Sequence, residues 1–173
     1  MDILQQFLVQ TPIWVWFILV WLVTRGIAAR TPGETTLLKM AIIPLIFTTW
    51  GFDDLVTLYG ATADSATLWL LGIAAGSSLG WFIVGRFAIT VDHATGVFRR
   101  PADKSLLPLL LVTFGVKYGF GVIGAIAPQL LAEMAFRIAD LVLSGLFTGI
   151  FVGKFLHYVQ IWRTAAKSAA QVA

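Results

Sequence analysis

The chain has 173 residues, 58% of them hydrophobic and only 12% charged, with a mean hydropathy of +0.87. A soluble domain carries roughly twice that charged share, so an ordinary water-soluble fold is excluded and a single membrane domain over residues 1–173 is expected. The net charge is +3 and the pI is near 9.5. The basic residues lie at the ends of apolar runs, as membrane topology demands, so no nucleic-acid partner is expected. With no cysteine, thiol chemistry, disulfides and thiolate-bound metal are excluded.

Apolar runs near 20 residues, the length that crosses a bilayer core as helix, recur along the chain. The first is expected over about 7–24. No Lys or Arg precedes it, unlike a cleavable signal, so it reads as a retained helix. Pro12 lies in its first turns, and Trp14 and Trp16 suit the headgroup level. Arg25 and Arg30 flank its end, and Thr31-Pro32-Gly33 reads as a turn. The second helix is expected over about 37–58, with Lys39 at its entry and Pro44 as a kink. The third follows over about 66–85. Between about 87 and 101 the composition changes. Ile89-Thr90-Val91 and Val97-Phe98 read as short strands around the turn Asp92-His93-Ala94-Thr95-Gly96, ended by Pro101. The fourth helix is expected over about 106–126 and the fifth over about 130–162, with a frayed tail from Lys167. The fold class is thus all-α membrane protein: five transmembrane helices and a small cytoplasmic β-hairpin between the third and fourth.

The order is partly duplicated. Pro44-Leu45-Ile46-Phe47-Thr48-Thr49-Trp50-Gly51-Phe52-Asp53 returns as Pro108-Leu109-Leu110-Leu111-Val112-Thr113-Phe114-Gly115-Val116-Lys117. Phe82-Ile83-Val84-Gly85-Arg86-Phe87 returns as Ile150-Phe151-Val152-Gly153-Lys154-Phe155. This predicts a tandem helical-hairpin repeat about a pseudo-twofold along the membrane normal, with Asp53 and Lys117 at the equivalent, oppositely charged position. Ten of the twelve basic residues, all but Lys117 and Arg137, flank connections on one face of a five-span bundle. The positive-inside rule puts that face in the cytoplasm and the N-terminus outside, in a multi-pass protein of the bacterial inner membrane.

Gly72, Gly76 and Gly80 recur every fourth residue, as do Gly145, Gly149 and Gly153, with a shorter stripe at Gly115 and Gly119. Small residues at this spacing let helix backbones approach closely in lipid. The partner helix belongs either to this chain or to a second protomer.

Apart from Lys39 and Lys154 near the cytoplasmic ends, six charged residues fall inside the expected spans: Asp53, Asp54, Lys117, Glu133, Arg137 and Asp140. A bare charge at mid-bilayer costs at least about 2.5–3.5 kcal/mol, so these residues should have partners. At about 1.5 Å rise per residue, Lys117 lies roughly 16 Å from the cytoplasmic face, Arg137 roughly 18 Å, Asp140 roughly 14 Å and Asp53 roughly 21–24 Å. Glu133, Arg137 and Asp140 share one face of the fifth helix. Four acids face two bases. One reading is an ion-pair network that docks the hairpins, with Asp54 and Glu133 in interfacial water. The other is an outward-open polar cavity that handles protons or a small cation.

No enzyme is expected, and no catalytic residue, cofactor or metal site. Ser77 and Ser78 belong to a glycine stripe. Asp53 and Asp54 are adjacent and point about 100° apart on a helix. His93 and His157 lie at the cytoplasmic edge with no carboxylate at metal-ligand spacing. Arg99, Arg100 and Lys104 read as topology determinants rather than a grip on lipid headgroups. The expected surroundings are the lipid bilayer and either a second copy or another membrane protein.

The Arg-rich end of the first helix through Arg30, Lys39 with Pro44, the glycines of the third helix, the Thr90-Val91-Asp92 to Gly96-Val97-Phe98 hairpin and Lys117-Tyr118 together resemble bacterial CcdC-like membrane proteins and related small families of unknown function. The resemblance spans most of the chain. That family's name implies a link with cytochrome c maturation, in which this cysteine-free chain could not use thiols of its own.

Overall fold

A computed structural model describes residues 12–92 and 95–172, the side chains of 167–172 excepted. The expected helix start near Phe7, the turn residues His93 and Ala94, and the side chain of Lys167 therefore lie outside the described residues. Five α-helices and three short strands follow in the order α1 (Ile13–Ala28), β1 (Gly33–Thr35), α2 (Leu37–Thr57), α3 (Ala63–Val84), β2 (Thr90–Asp92), β3 (Val97–Arg100), α4 (Leu106–Ile126) and α5 (Met134–Val172). A 3-10 turn, Pro128–Ala132, joins α4 to α5. Helices α2, α3, α4 and α5 are long and apolar enough to cross a membrane; α1 is a shorter apolar helix over its described length.

Local chemistry sets the boundaries. Thr62 caps α3, its hydroxyl accepting from the Ser65 amide at 3.3 Å, and Asp64 sits in the first turn, where a carboxylate meets the positive end of the helix dipole. The helix consequently begins three residues before the expected Ala66. Helix α2 runs unbroken through Pro44. Helix α5 begins at Met134, after the 3-10 turn, and continues to Val172, beyond the end expected near Trp162 and through most of the tail expected to fray.

The hairpin expected over 87–101 is two strands of a three-stranded antiparallel sheet with order β1-β3-β2. The added strand is Gly33–Thr35, in and beyond what reads as a turn. Glu34 lies opposite Arg99, and their side chains meet at 3.2 Å. Phe98 is fully buried and packs against Tyr158 and Trp162 of α5, with ring centroids 5.7 and 5.8 Å away. The sheet is thus anchored to the far end of α5, which solves the marginal stability of two short strands. Gly96 turns the hairpin at φ +69°, where residues with a Cβ are strained.

Helix α5 is the hub. Its main neighbour is α3, and α2 and α4 also pack on it; α1 packs on α4. Helices α3 and α5 run parallel, Gly72 facing Gly145 and Gly149 facing Ile73. A Cβ added at Gly72 would sit 2.5 Å from the Val142 carbonyl oxygen, and one at Gly76, Gly80, Gly145, Gly149 or Gly153 would overlap a facing carbonyl outright. Both stripes therefore meet within the chain, whereas Gly115 and Gly119 face open space.

The packing departs from the expected twofold. Helix α2 packs on α5, but α4 makes no comparable contact with α3. The flank of α4 is taken by α1, which has no counterpart in the repeat; a Cβ at Gly26 would meet the Leu107 side chain at 2.6 Å. Val15, Leu22, Phe47, Leu110, Phe114 and Phe151 form the main apolar cluster between α1, α2, α4 and α5. A smaller one, Leu55, Trp69 and Leu141, lies between α2, α3 and α5.

Candidate functional site

The six charges expected inside the spans divide into a bonded core and a periphery. Lys117 is 3% exposed. Its ammonium donates to Asp54 Oδ2 of α2 and, at 3.0 Å, to Ser144 Oγ of α5, and lies 5.6 Å from the Trp50 ring centroid. One side chain of α4 thereby ties together α2 and α5. Asp140, one helical turn before Ser144, is 4% exposed and accepts from the Tyr59 hydroxyl at 2.7 Å. The Lys117 ammonium and the Asp54 carboxylate lie within electrostatic range of Asp140. Burial first, then the bond to Asp140, raises the Tyr59 phenol well above its usual range, so Tyr59 acts as a donor.

Two corrections follow. The partner of Lys117 is Asp54, which was expected in interfacial water, and Asp53 instead is exposed. A one-residue step turns a helical side chain by about 100°, so matching positions in the two repeats did not place them on facing surfaces. Glu133 lies outside α5, exposed, its carbonyl accepting the Arg137 amide at 3.0 Å. It does not share a helical face with Arg137 and Asp140. Arg137 is half-buried near Tyr59 with its Nε unpartnered, and among the described residues neither it nor Glu133 forms an ion pair.

Residues missed by sequence reasoning complete the core. Tyr59 follows α2, in what reads from sequence as a link. Ser144 and Thr148 continue a polar stripe from Asp140 at i+4 and i+8, a helical spacing that was available to find them. Thr148 is 1% exposed and donates to the Phe47 carbonyl at 3.3 Å.

The ion pair is not sealed on every side. A cavity of about 320 Å³ reaches Asp53, Asp54, Lys117 and Tyr118 between α1, α2 and the far half of α4. Toward the sheet end the way is filled by Phe47 and Phe151, stacked at 5.0 Å, with Leu110, Thr113 and Thr148 buried around them.

Beyond that layer lies a second ion pair. Lys154 donates to Asp103 Oδ2 at 2.8 Å, and the Ser105 hydroxyl and amide donate to Asp103 Oδ1 at 2.6 and 3.0 Å. Burial alone would raise the Asp103 carboxyl. The Lys154 ammonium and the Ser105 donors outweigh it and hold the carboxyl below its usual range. Arg100 donates to the Ala29 and Ala28 carbonyls at 3.1 and 3.4 Å, closing the end of α1, where orphan carbonyls attract a cation.

His157 lies against Trp81, ring centroids 4.8 Å apart, and its Nδ1 has no hydrogen-bond partner among the described residues. Among the described residues no group of three or more metal-ligating side chains comes together.

No curated protein and no solved structure matches the chain. A match over residues 2–170 to a family described as "Family of unknown function (DUF6622)" covers nearly the whole chain. It fits the expectation of an uncharacterised family and lends no support to the CcdC-like resemblance. The chain belongs to this family, DUF6622.

Proposed function

We propose that the chain is a non-catalytic component of the bacterial inner membrane whose buried ion-pair network fixes a helix arrangement used by a partner protein or a second copy. In this reading all five helices span, the N-terminus is outside, and the sheet and C-terminus are cytoplasmic. Support for the orientation comes from the ten basic residues gathered at the sheet-end connections and the last helix end. The observation that carries the reading is the placement of Lys117: nearly inaccessible, bonded to two helices other than its own, and backed by a packed aromatic layer. A paired charge of this kind specifies which helices dock.

A second reading, a small proton or cation pathway, is favoured by the cavity that reaches Asp53, Asp54 and Lys117. The Phe47–Phe151 layer counts against a continuous route. Proton flux into proteoliposomes separates the two. The scaffold reading expects wild type and Lys117→Met to match protein-free vesicles; flux abolished by Lys117→Met would replace it with the pathway. Co-purification of the tagged chain from native membranes then identifies the partner, or a second copy of itself.

A further inference from the structure

The cavity at the sheet end is lined by four cations, Arg25, Lys39, Arg100 and Lys154, and by one carboxylate, Asp103. That leaves three positive charges in excess around a space of about 140 Å³. A water needs roughly 10–15 Å³ of such space, so there is room for a group many times larger. The acid is already spoken for, since Asp103 is bonded to Lys154 and Ser105. Among the described residues, no acid pairs with Arg25, Lys39 or Arg100. Arg100 is held in place by its bonds to the Ala28 and Ala29 carbonyls, which occupy only part of a guanidinium's five N–H groups.

The rest of the lining is apolar. Met40, Ile43 and Pro44 of α2 and Phe155 of α5 face the same space. The backbones of α1 and α2, though consecutive, stay apart; side chains bridge them, Trp14 meeting Trp50 edge-on with ring centroids 6.1 Å apart. A mostly apolar crevice of about 500 Å³ lies between them, with Trp14 and Ile18 on one side, Ile42, Leu45 and Ile46 on the other, and Thr49, Trp50 and Asp53 farther along α2. Its lining on α2 begins at Ile42, within the segment 39–44 that lines the basic cavity, although the two spaces share no residue. Cationic head space and apolar crevice therefore occur on the same pair of helices, one toward the sheet end and the other toward the far end.

We propose that this is a binding site for an anionic phospholipid, its phosphate held by Arg25, Lys39 and Arg100 and one acyl chain lying in the α1–α2 crevice. A phosphodiester matches the chemistry: a fixed guanidinium offers paired N–H donors to phosphate oxygens, and lysine adds a point charge. Free phosphate shares the head chemistry but makes no use of the crevice. The site is independent of the scaffold and pathway readings and requires only that the chain lie in a bilayer.

Native mass spectrometry of the intact chain in neutral detergent tests the proposal, with dioleoylphosphatidylglycerol, dioleoylphosphatidylcholine and inorganic phosphate as probes. Phosphatidylglycerol is expected to be retained in preference to phosphatidylcholine, and equal concentrations of phosphate should not displace it. Arg25→Gln and Lys39→Gln, both at exposed positions that folding tolerates, should each weaken retention about fivefold. Arg86→Gln and Lys104→Gln remove the same charge outside the cavity and should change it less than about twofold. Equal losses in all four variants would overturn the site in favour of general surface attraction. Displacement by phosphate, or no preference over phosphatidylcholine, would overturn the lipid.

Discussion

The Lys117–Asp54 pair makes a quantitative prediction about cutting it from either side. The Lys117 side chain is 2% exposed and that of Asp54 24%. Asp54→Asn strands the more deeply buried ion, so it should cost about 3–5 kcal/mol, the range for breaking a buried pair from one side. Lys117→Met leaves the carboxylate beside a cavity that can admit water, and should cost about 1–3 kcal/mol. The double substitution removes both charges and should lie within about 1 kcal/mol of wild type. The resulting coupling is at least about 3 kcal/mol, at or above the top of the usual range for residues in contact. Reversible unfolding in micelles, followed by tryptophan emission, measures all four corners, and Trp50 beside the ammonium reports on the site itself. Asp53→Asn is the control, expected to cost less than about 0.5 kcal/mol at an exposed position. Additive single effects, or equal losses for Asp53→Asn and Asp54→Asn, would refute the pairing.

Gly76→Ala drives a methyl into the Leu146 carbonyl and should destabilise by about 1–3 kcal/mol or more, whereas Gly115→Ala, facing open space, should be neutral or slightly stabilising in the same unfolding assay. Tyr59→Phe removes the hydroxyl donor to Asp140 and should cost about 0.5–3 kcal/mol, the range for a lost hydrogen bond. Asp103 has a folded pKa held below its usual value near 3.8. Its contribution to stability is therefore complete above that value and is lost as pH falls below about 4. Asp103→Asn should flatten that acid limb in a pH series of unfolding midpoints while leaving the slope between pH 5 and 8 unchanged.

The features readable from sequence were those with local causes. Hydropathy length gives α2 and α4 to within a residue at either end, because each is a single apolar run between polar links. Turn chemistry at Asp92–Gly96 gives the β2–β3 hairpin. Strand β1 escaped notice because three residues, Gly33-Glu34-Thr35, carry no alternation, and their pairing with Val97–Arg100 joins segments more than 60 residues apart. The charged core was readable as a depth and not as a rotation. Counting residues brings Lys117, Asp53, Asp54 and Asp140 to similar levels, but only packing decides which of two adjacent aspartates faces inward. The Asp103–Lys154 pair and the cavity beside it bring together α1, α2, the β3–α4 link and α5, a juxtaposition that no local pattern encodes.

A closed layer at Phe47 and Phe151 separates the cavity at Asp54–Lys117 from the one at the sheet end. The cysteine-free chain allows a direct test with single cysteines at Val122, Thr148 and Met40, probed in sealed vesicles by a charged, impermeant thiosulfonate. The prediction is that Val122→Cys reacts from one side, Met40→Cys from the other, and Thr148→Cys from neither. Modification of Thr148→Cys from either side, at a rate comparable to that of Val122→Cys, would contradict it.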